Sequence, residues 1–157
     1  MRRLMLGLVM LVVGCGGGGS TTPAPNDAAA TPEAAVRNFM QAVADSNITR
    51  MGRYWGTSKG PAAITRQPAD YEDRLVITQA YLRRSPFRIT GVDAIPNQSD
   101  RQQVLVEFER QDPDGTRCMK VAPFQVLKNG NQGWIVVSID LNRVGTPGRA
   151  CVPPAGS

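Results

Sequence analysis

Three cysteines and a complete absence of histidine bound the chemistry open to this chain of 157 residues. Without histidine there is no imidazole general base, no Ser-His or Cys-His couple and no histidine-containing metal site. With so few thiols most transition-metal constellations go as well, so neither a metal nor a cofactor is expected, and no catalytic set can be assembled from spacing alone. Cys118 and Cys151 stand far from Cys15. In an oxidising compartment such a pair reads as a disulfide. It would close a loop of about 34 residues, stabilising the fold by about 3.7 kcal/mol in the chain-entropy model, and would hold the tail from Gly145 to Pro154 on the body. Two buried free thiols are the alternative, because spacing in sequence does not give separation in space.

Cys15 has a different setting. Arg2 and Arg3 precede an apolar run from Leu4 to Val13, the basic and apolar regions of an export signal. Ten residues fall short of the about 20 needed to cross hydrocarbon as a helix. The stretch Leu11-Val12-Val13-Gly14-Cys15 resembles the lipobox of bacterial lipoproteins, in which the bond before the cysteine is cut. A small residue at 14 admits the peptidase, and only a thiol forms the thioether to diacylglycerol. The resemblance implies a signal peptide over residues 1–14 and a lipidated Cys15 carrying acyl chains such as palmitate, since one chain anchors marginally and two or three stably. It implies a lipid-anchored protein of the bacterial cell envelope, facing the periplasm. Gly16 rather than Asp after the cysteine favours the outer membrane where there are two. An ordinary secreted protein with a chance cysteine is the alternative.

Residues 15–30 then form the lipidated cysteine and a flexible Gly, Ser, Thr, Pro and Ala linker, whose fifteen residues from Gly16 to Ala30 reach about 20 Å. Residues 31–157 suffice for a single domain. The formal charge of +5 falls to +3, 16 basic against 13 acidic residues, once Arg2 and Arg3 leave. No basic stripe interleaves with aromatics, so no nucleic-acid partner is expected.

Local signals give the elements. Thr31-Pro32-Glu33 is a helix start, and Val36, Phe39, Met40 and Val43 recur on one face to about Asp45. Asn47 caps a second, short helix with Ile48, Met51 and Trp55 on one side and Gly56 as its stop. Gly56 to Pro68 reads as loop; its Gly56-Thr57-Ser58-Lys59-Gly60 lacks the residue order of a phosphate loop. Pro68 to Ser85 reads as a third helix with a broad buried stripe (Tyr71, Leu75, Leu82, with Ile77 and Tyr81 beside it) in direct contact with a sheet. From Phe87 the period becomes two, with strands at Phe87 to Ile95, around Val104, Val106 and Phe108, from Thr116 to Lys128, and from Trp134 to Leu141. Glu107 and Glu109 alternate outward into water. Asp112-Pro113-Asp114-Gly115 turns the chain, Pro123 implies a bulge or an edge position, and Ile135-Val136-Val137 implies burial on both faces.

Helices followed by an antiparallel meander define an α+β class. The opening Pro32-Glu33-Ala34-Ala35-Val36-Arg37-Asn38-Phe39-Met40 with Ala42-Val43-Ala44-Asp45, and the closing Gly133-Trp134-Ile135-Val136, resemble the nuclear-transport-factor-2-like (NTF2-like, cystatin-like) superfamily, and within it small bacterial lipoproteins of unknown function. The resemblance implies N-terminal helices packed on a curved antiparallel sheet, a cone that often holds a pocket. Its enzymes pair an Asp or Tyr with a His, which this chain lacks. Tyr54, Trp55, Asp70, Tyr71 and Arg74 would stand near the mouth of such a pocket. The expected function is a membrane-anchored envelope lipoprotein whose non-catalytic domain binds a protein partner or a small apolar ligand. The alternatives are an enzyme using a desolvated pocket carboxylate such as Asp70, and a structural module of an envelope complex with a filled core and an exposed apolar patch.

Overall fold

The Thr31 hydroxyl accepts the N–H of Ala34 at 3.1 Å, and Pro32 fills the first turn of α1 (Pro32–Ala44). Proline suits that place because its φ is already helical and it has no N–H to leave unpaired. The computed structural model describes residues 28–151, so the signal peptide (1–14), Cys15 and most of the linker (15–30) lie outside the described residues, as do residues 152–157. Packing reaches back to Ala29, which is buried against Gly133 and Trp134 and accepts the Trp134 N–H at 2.9 Å.

Asn47 caps α2 (Ile48–Tyr54), its side chain accepting the Arg50 N–H at 2.8 Å. The stretch read as loop is more ordered than expected. It holds a small antiparallel pair, β1 (Gly56–Thr57) with β2 (Gly60–Pro61), and one turn of helix, α3 (Ala62–Thr65). A Cβ on Gly56 would fall 2.2 Å from the Gly60 carbonyl oxygen, so glycine is what lets the two segments close. Two-residue strands are too short to show a period in sequence.

The next helix, α4 (Tyr71–Leu82), is shorter than the expected Pro68 to Ser85. Pro68 to Asp70 form a turn whose Pro68 carbonyl accepts the Tyr71 N–H at 3.0 Å. At the other end Arg83 is extended and Arg84 left-handed at φ 59°, so the helix stops before Pro86 could stop it. Its buried stripe is narrow: Tyr71, Leu75, Thr78 and Leu82. Ile77 is 55% exposed and Tyr81 half-buried. The helix accordingly packs chiefly on α2 and not on the sheet, which α1 covers instead.

Four strands, β3 (Phe87–Ile95), β4 (Gln98–Gln111), β5 (Arg117–Lys128) and β6 (Trp134–Ile139), form an antiparallel meander in chain order. A short helix, α5 (Leu141–Val144), follows where strand was expected to continue to Leu141. The Asp112–Gly115 turn closes with the Gly115 N–H on the Asp112 carbonyl at 2.9 Å and Gly115 at φ 87°. On the inner face Val104, Val106 and Phe108 meet Ala122, Phe124 and Val126, all fully buried. Onto them α1 lays Val36, Phe39 and Val43. Phe39 meets Phe124 edge-on with ring centroids 6.5 Å apart, and Phe108 lies 6.2 Å from Phe124. Each buried ring contributes about 1.5–3 kcal/mol relative to exposure. Helices on one face of an antiparallel sheet make this an α+β domain, as the order of elements implied.

Two strand-level expectations are corrected. Pro123 lies in an inner strand, in regular register with Leu105 of β4, and the bulge falls instead between Gln125 and Val126. Its carbonyl accepts the Asp140 N–H at 3.3 Å just beyond the end of β6, so its missing N–H faces a side where no strand continues. In β6, Trp134, Ile135 and Val136 are buried but Val137 is only half-buried. That edge strand is shielded where Trp55 bridges to Val136 and Ala29 to Trp134.

Candidate functional site

The five residues expected at a pocket mouth are divided by the fold. Tyr54, on the inner side of α2, is 5% exposed and part of the core; Trp55 is half-buried against it. Asp70 and Tyr71 do gather at the start of α4, with Arg66 and Glu72, around a depression of about 300 Å³, and Arg74 joins them through Asp70 without lining it. Arg74 Nε reaches both Asp70 carboxylate oxygens at 2.9 Å, and both side chains are more than half exposed. The Tyr71 ring is buried while its hydroxyl sits at the rim, accepting from Arg66 Nη1 at 2.9 Å and donating to Glu72 Oε1 at 2.7 Å. The bond to the Glu72 carboxylate, with burial second, raises the Tyr71 phenol above its ordinary value. These are surface ion pairs and a capped tyrosine.

The densest polar construction stands at the other end of the sheet. Arg110 lies on the inward-facing row of β4, one step beyond Phe108, and is 8% exposed. Its Nη1 donates to the Tyr81 carbonyl, in the last turn of α4, at 2.9 Å and to Ser85 Oγ. A cation at a helix C-terminus is favoured by the helix dipole. Burial lowers the Arg110 guanidinium below its ordinary value, against the nearby Asp112 charge, yet a guanidinium stays protonated in proteins. Among the described residues no carboxylate comes within 4.0 Å of it, whereas Arg50, Arg66, Arg74, Arg88, Arg117 and Arg143 each have one.

Asp112 is the companion buried charge, 6% exposed, and it looks the other way. Its two oxygens accept the backbone N–H of Ala150 at 2.7 Å and of Cys151 at 3.0 Å. Cys151 is bonded to Cys118 at the start of β5, the disulfide expected from the cysteine count, which ties the tail down at Cys151, the last described residue. Between α4, the end of β4 and this tail opens a cleft of about 730 Å³ lined by three arginines, Arg83, Arg84 and Arg110, and two carboxylates, Glu109 and Asp112, with Ser85 beside them. Glu109 turns toward Arg117 at 3.7 Å.

Sequence reasoning passed over Arg110 and Asp112. The signal was there in part: Arg110 continues the parity of Val104, Val106 and Phe108, so the alternation itself points it inward. The outer face behaves less simply than expected. Glu109 is exposed, but Glu107 is 16% exposed beside Arg88 Nε, a charge contact of 2.5 Å without hydrogen-bond direction. Met119 and Val121, their neighbours on β5, are 54% and 41% exposed. Among the described residues no group of three His, Cys, Asp or Glu side chains is placed to hold a metal ion, and no helix is long and apolar enough to cross a membrane.

No protein-family model matches this chain, and no curated protein matches it. A solved structure, described as an NTF-2 like protein of unknown function from Shewanella oneidensis MR-1, is similar over 67% of this chain and 90% of its own. The two sequences are 11% identical and the TM-score is 0.42.

Proposed function

We propose that this chain is a lipid-anchored protein of a bacterial envelope, with a signal peptide cleaved before Cys15, and that its folded part is a non-catalytic NTF2-like cone that acts by contact with a protein partner. The observation that carries the second half is the filled interior. Phe39, Phe108, Phe124, Met51, Leu75 and Leu82 occupy the space between helices and sheet and are essentially unexposed, which favours contact at the surface over a ligand held in the interior. The enzyme alternative draws less support from Asp70, which is more than half exposed and paired with Arg74. The envelope-assembly alternative is favoured over it by Met119 and Val121, which leave apolar side chains on the outer sheet face beside Leu105 and Pro123. The lipobox residues Leu11 to Cys15 support the anchor, and the Cys118–Cys151 bond suits an oxidising compartment.

Native mass spectrometry of the exported, lipidated chain tests the domain reading. The expected mass is the protein with its acyl chains and nothing else; a further apolar mass lost on denaturation would replace the partner reading with a ligand-binding one. A Cys15→Ser variant grown with labelled palmitate tests the anchor separately. Label should disappear, and its persistence would remove the lipoprotein assignment.

A further inference from the structure

We propose that the cleft between the end of α4, the end of β4 and the disulfide-held tail binds a doubly charged oxyanion of the phosphate class, gripped by Arg110 with Arg83 and Arg84. A guanidinium carries five N–H donors. Arg110 spends only Nη1 on the protein, on Tyr81 and Ser85, leaving Nε and Nη2 without a partner among the described residues. Neither atom is among the buried side-chain donors left without a partner, so on a residue only 8% exposed both remain within reach of a solute. Arg110 lines a cleft of about 730 Å³, ample for a phosphate and the molecule that carries it.

Charge in the cleft also fits an anion. Arg83 and Arg84 line it without an ion pair among the described residues; of the two carboxylates that also line it, Asp112 holds the Ala150 and Cys151 amides and Glu109 lies 3.7 Å from Arg117, which leaves three guanidinium groups against two carboxylates and a net positive charge. Three guanidinium groups around one space suit a dianion better than a single carboxylate. Arginine's planar fork matches phosphate oxygens in pairs. Helix-end capping by Arg110 accounts for Nη1 and leaves the rest of the side chain unexplained.

The test is titration of the full chain with inorganic phosphate at low salt, followed by calorimetry, with acetate as the singly charged comparison. Saturable one-site binding of phosphate, at least about tenfold tighter than acetate, is expected from paired charge-assisted hydrogen bonds. Arg83→Gln with Arg84→Gln, both exposed and without a side-chain hydrogen bond or ion pair among the described residues, should weaken it about tenfold or more with the melting temperature little changed. Arg110→Lys, which keeps a donor for the Tyr81 carbonyl but not the fork, should weaken it too. No saturable binding, acetate binding as tight as phosphate, or phosphate binding indifferent to all three substitutions would overturn the proposal. Glycerol 3-phosphate separates the sources: tighter binding than inorganic phosphate assigns a phosphate borne on an alcohol, as in a lipid headgroup, and weaker binding assigns the free ion.

Discussion

Asp112 and Asp114 stand two residues apart in one turn and answer to different parts of the molecule. The Asp112 carboxylate is buried and holds two tail amides, so Asp112→Asn puts an NH2 group against one of those N–H donors. Leaving a buried donor unmatched costs about 1–3 kcal/mol. A corresponding drop in the urea midpoint, with the disulfide intact, is expected. Asp114 is exposed and accepts the Thr116 N–H at 2.9 Å, the bond that chiefly holds its carboxyl below the ordinary value of 3.8. The charged form is thus favoured by folding, so this contribution is present above about pH 3.8 and fades as pH falls through the lower folded value. Urea midpoints at pH 5 and pH 3 should differ less in Asp114→Asn than in the parent.

Packing rather than propensity decides what each element contributes. Phe39→Ala in α1 removes the ring between Val36, Val43 and Phe124 and should cost about 3–5 kcal/mol, read by thermal or denaturant unfolding. Ile77→Ala in α4, at a position 55% exposed, should change stability by less than about 0.5 kcal/mol. That contrast marks how far the elements could be read before folding. α1 and the Asp112–Gly115 turn were legible because a hydroxyl cap, a proline and an apolar face, or proline and glycine at fixed offsets, are local signals. The breadth of the buried stripe on α4 was not, since Ile77 and Tyr81 differ from Leu75 only in what lies opposite them. Tyr54 and Trp55 likewise looked available for a ligand until α1 and β6 were placed against them. The arginine cleft draws on α4, β4 and the tail, three segments whose meeting no spacing encodes.

At the scale of the molecule, the Cys118–Cys151 bond joins residues 33 apart and holds the tail together with Asp112. Replacing both cysteines with serine should lower stability by about 3.7 kcal/mol in the loop-entropy model, measured against the parent under non-reducing conditions. Reducing agent should then affect the parent alone. The cross-link sits at the start of β5, whereas Ala29 docks beside Trp134, opposite Lys128 at its far end. Ten residues of extended strand separate the two ends by about 33 Å. Among the described residues Ala29 is held to the sheet by one backbone hydrogen bond, the Trp134 N–H to its carbonyl, on the outermost strand. Tension arriving along the chain from its N-terminal side would therefore meet that one backbone bond first and the packed helix α1 next, before it reached any pair of strands. The covalent cross-link lies outside that load path, so a tug that strips away Ala29 leaves the arginine cleft and its tail in place.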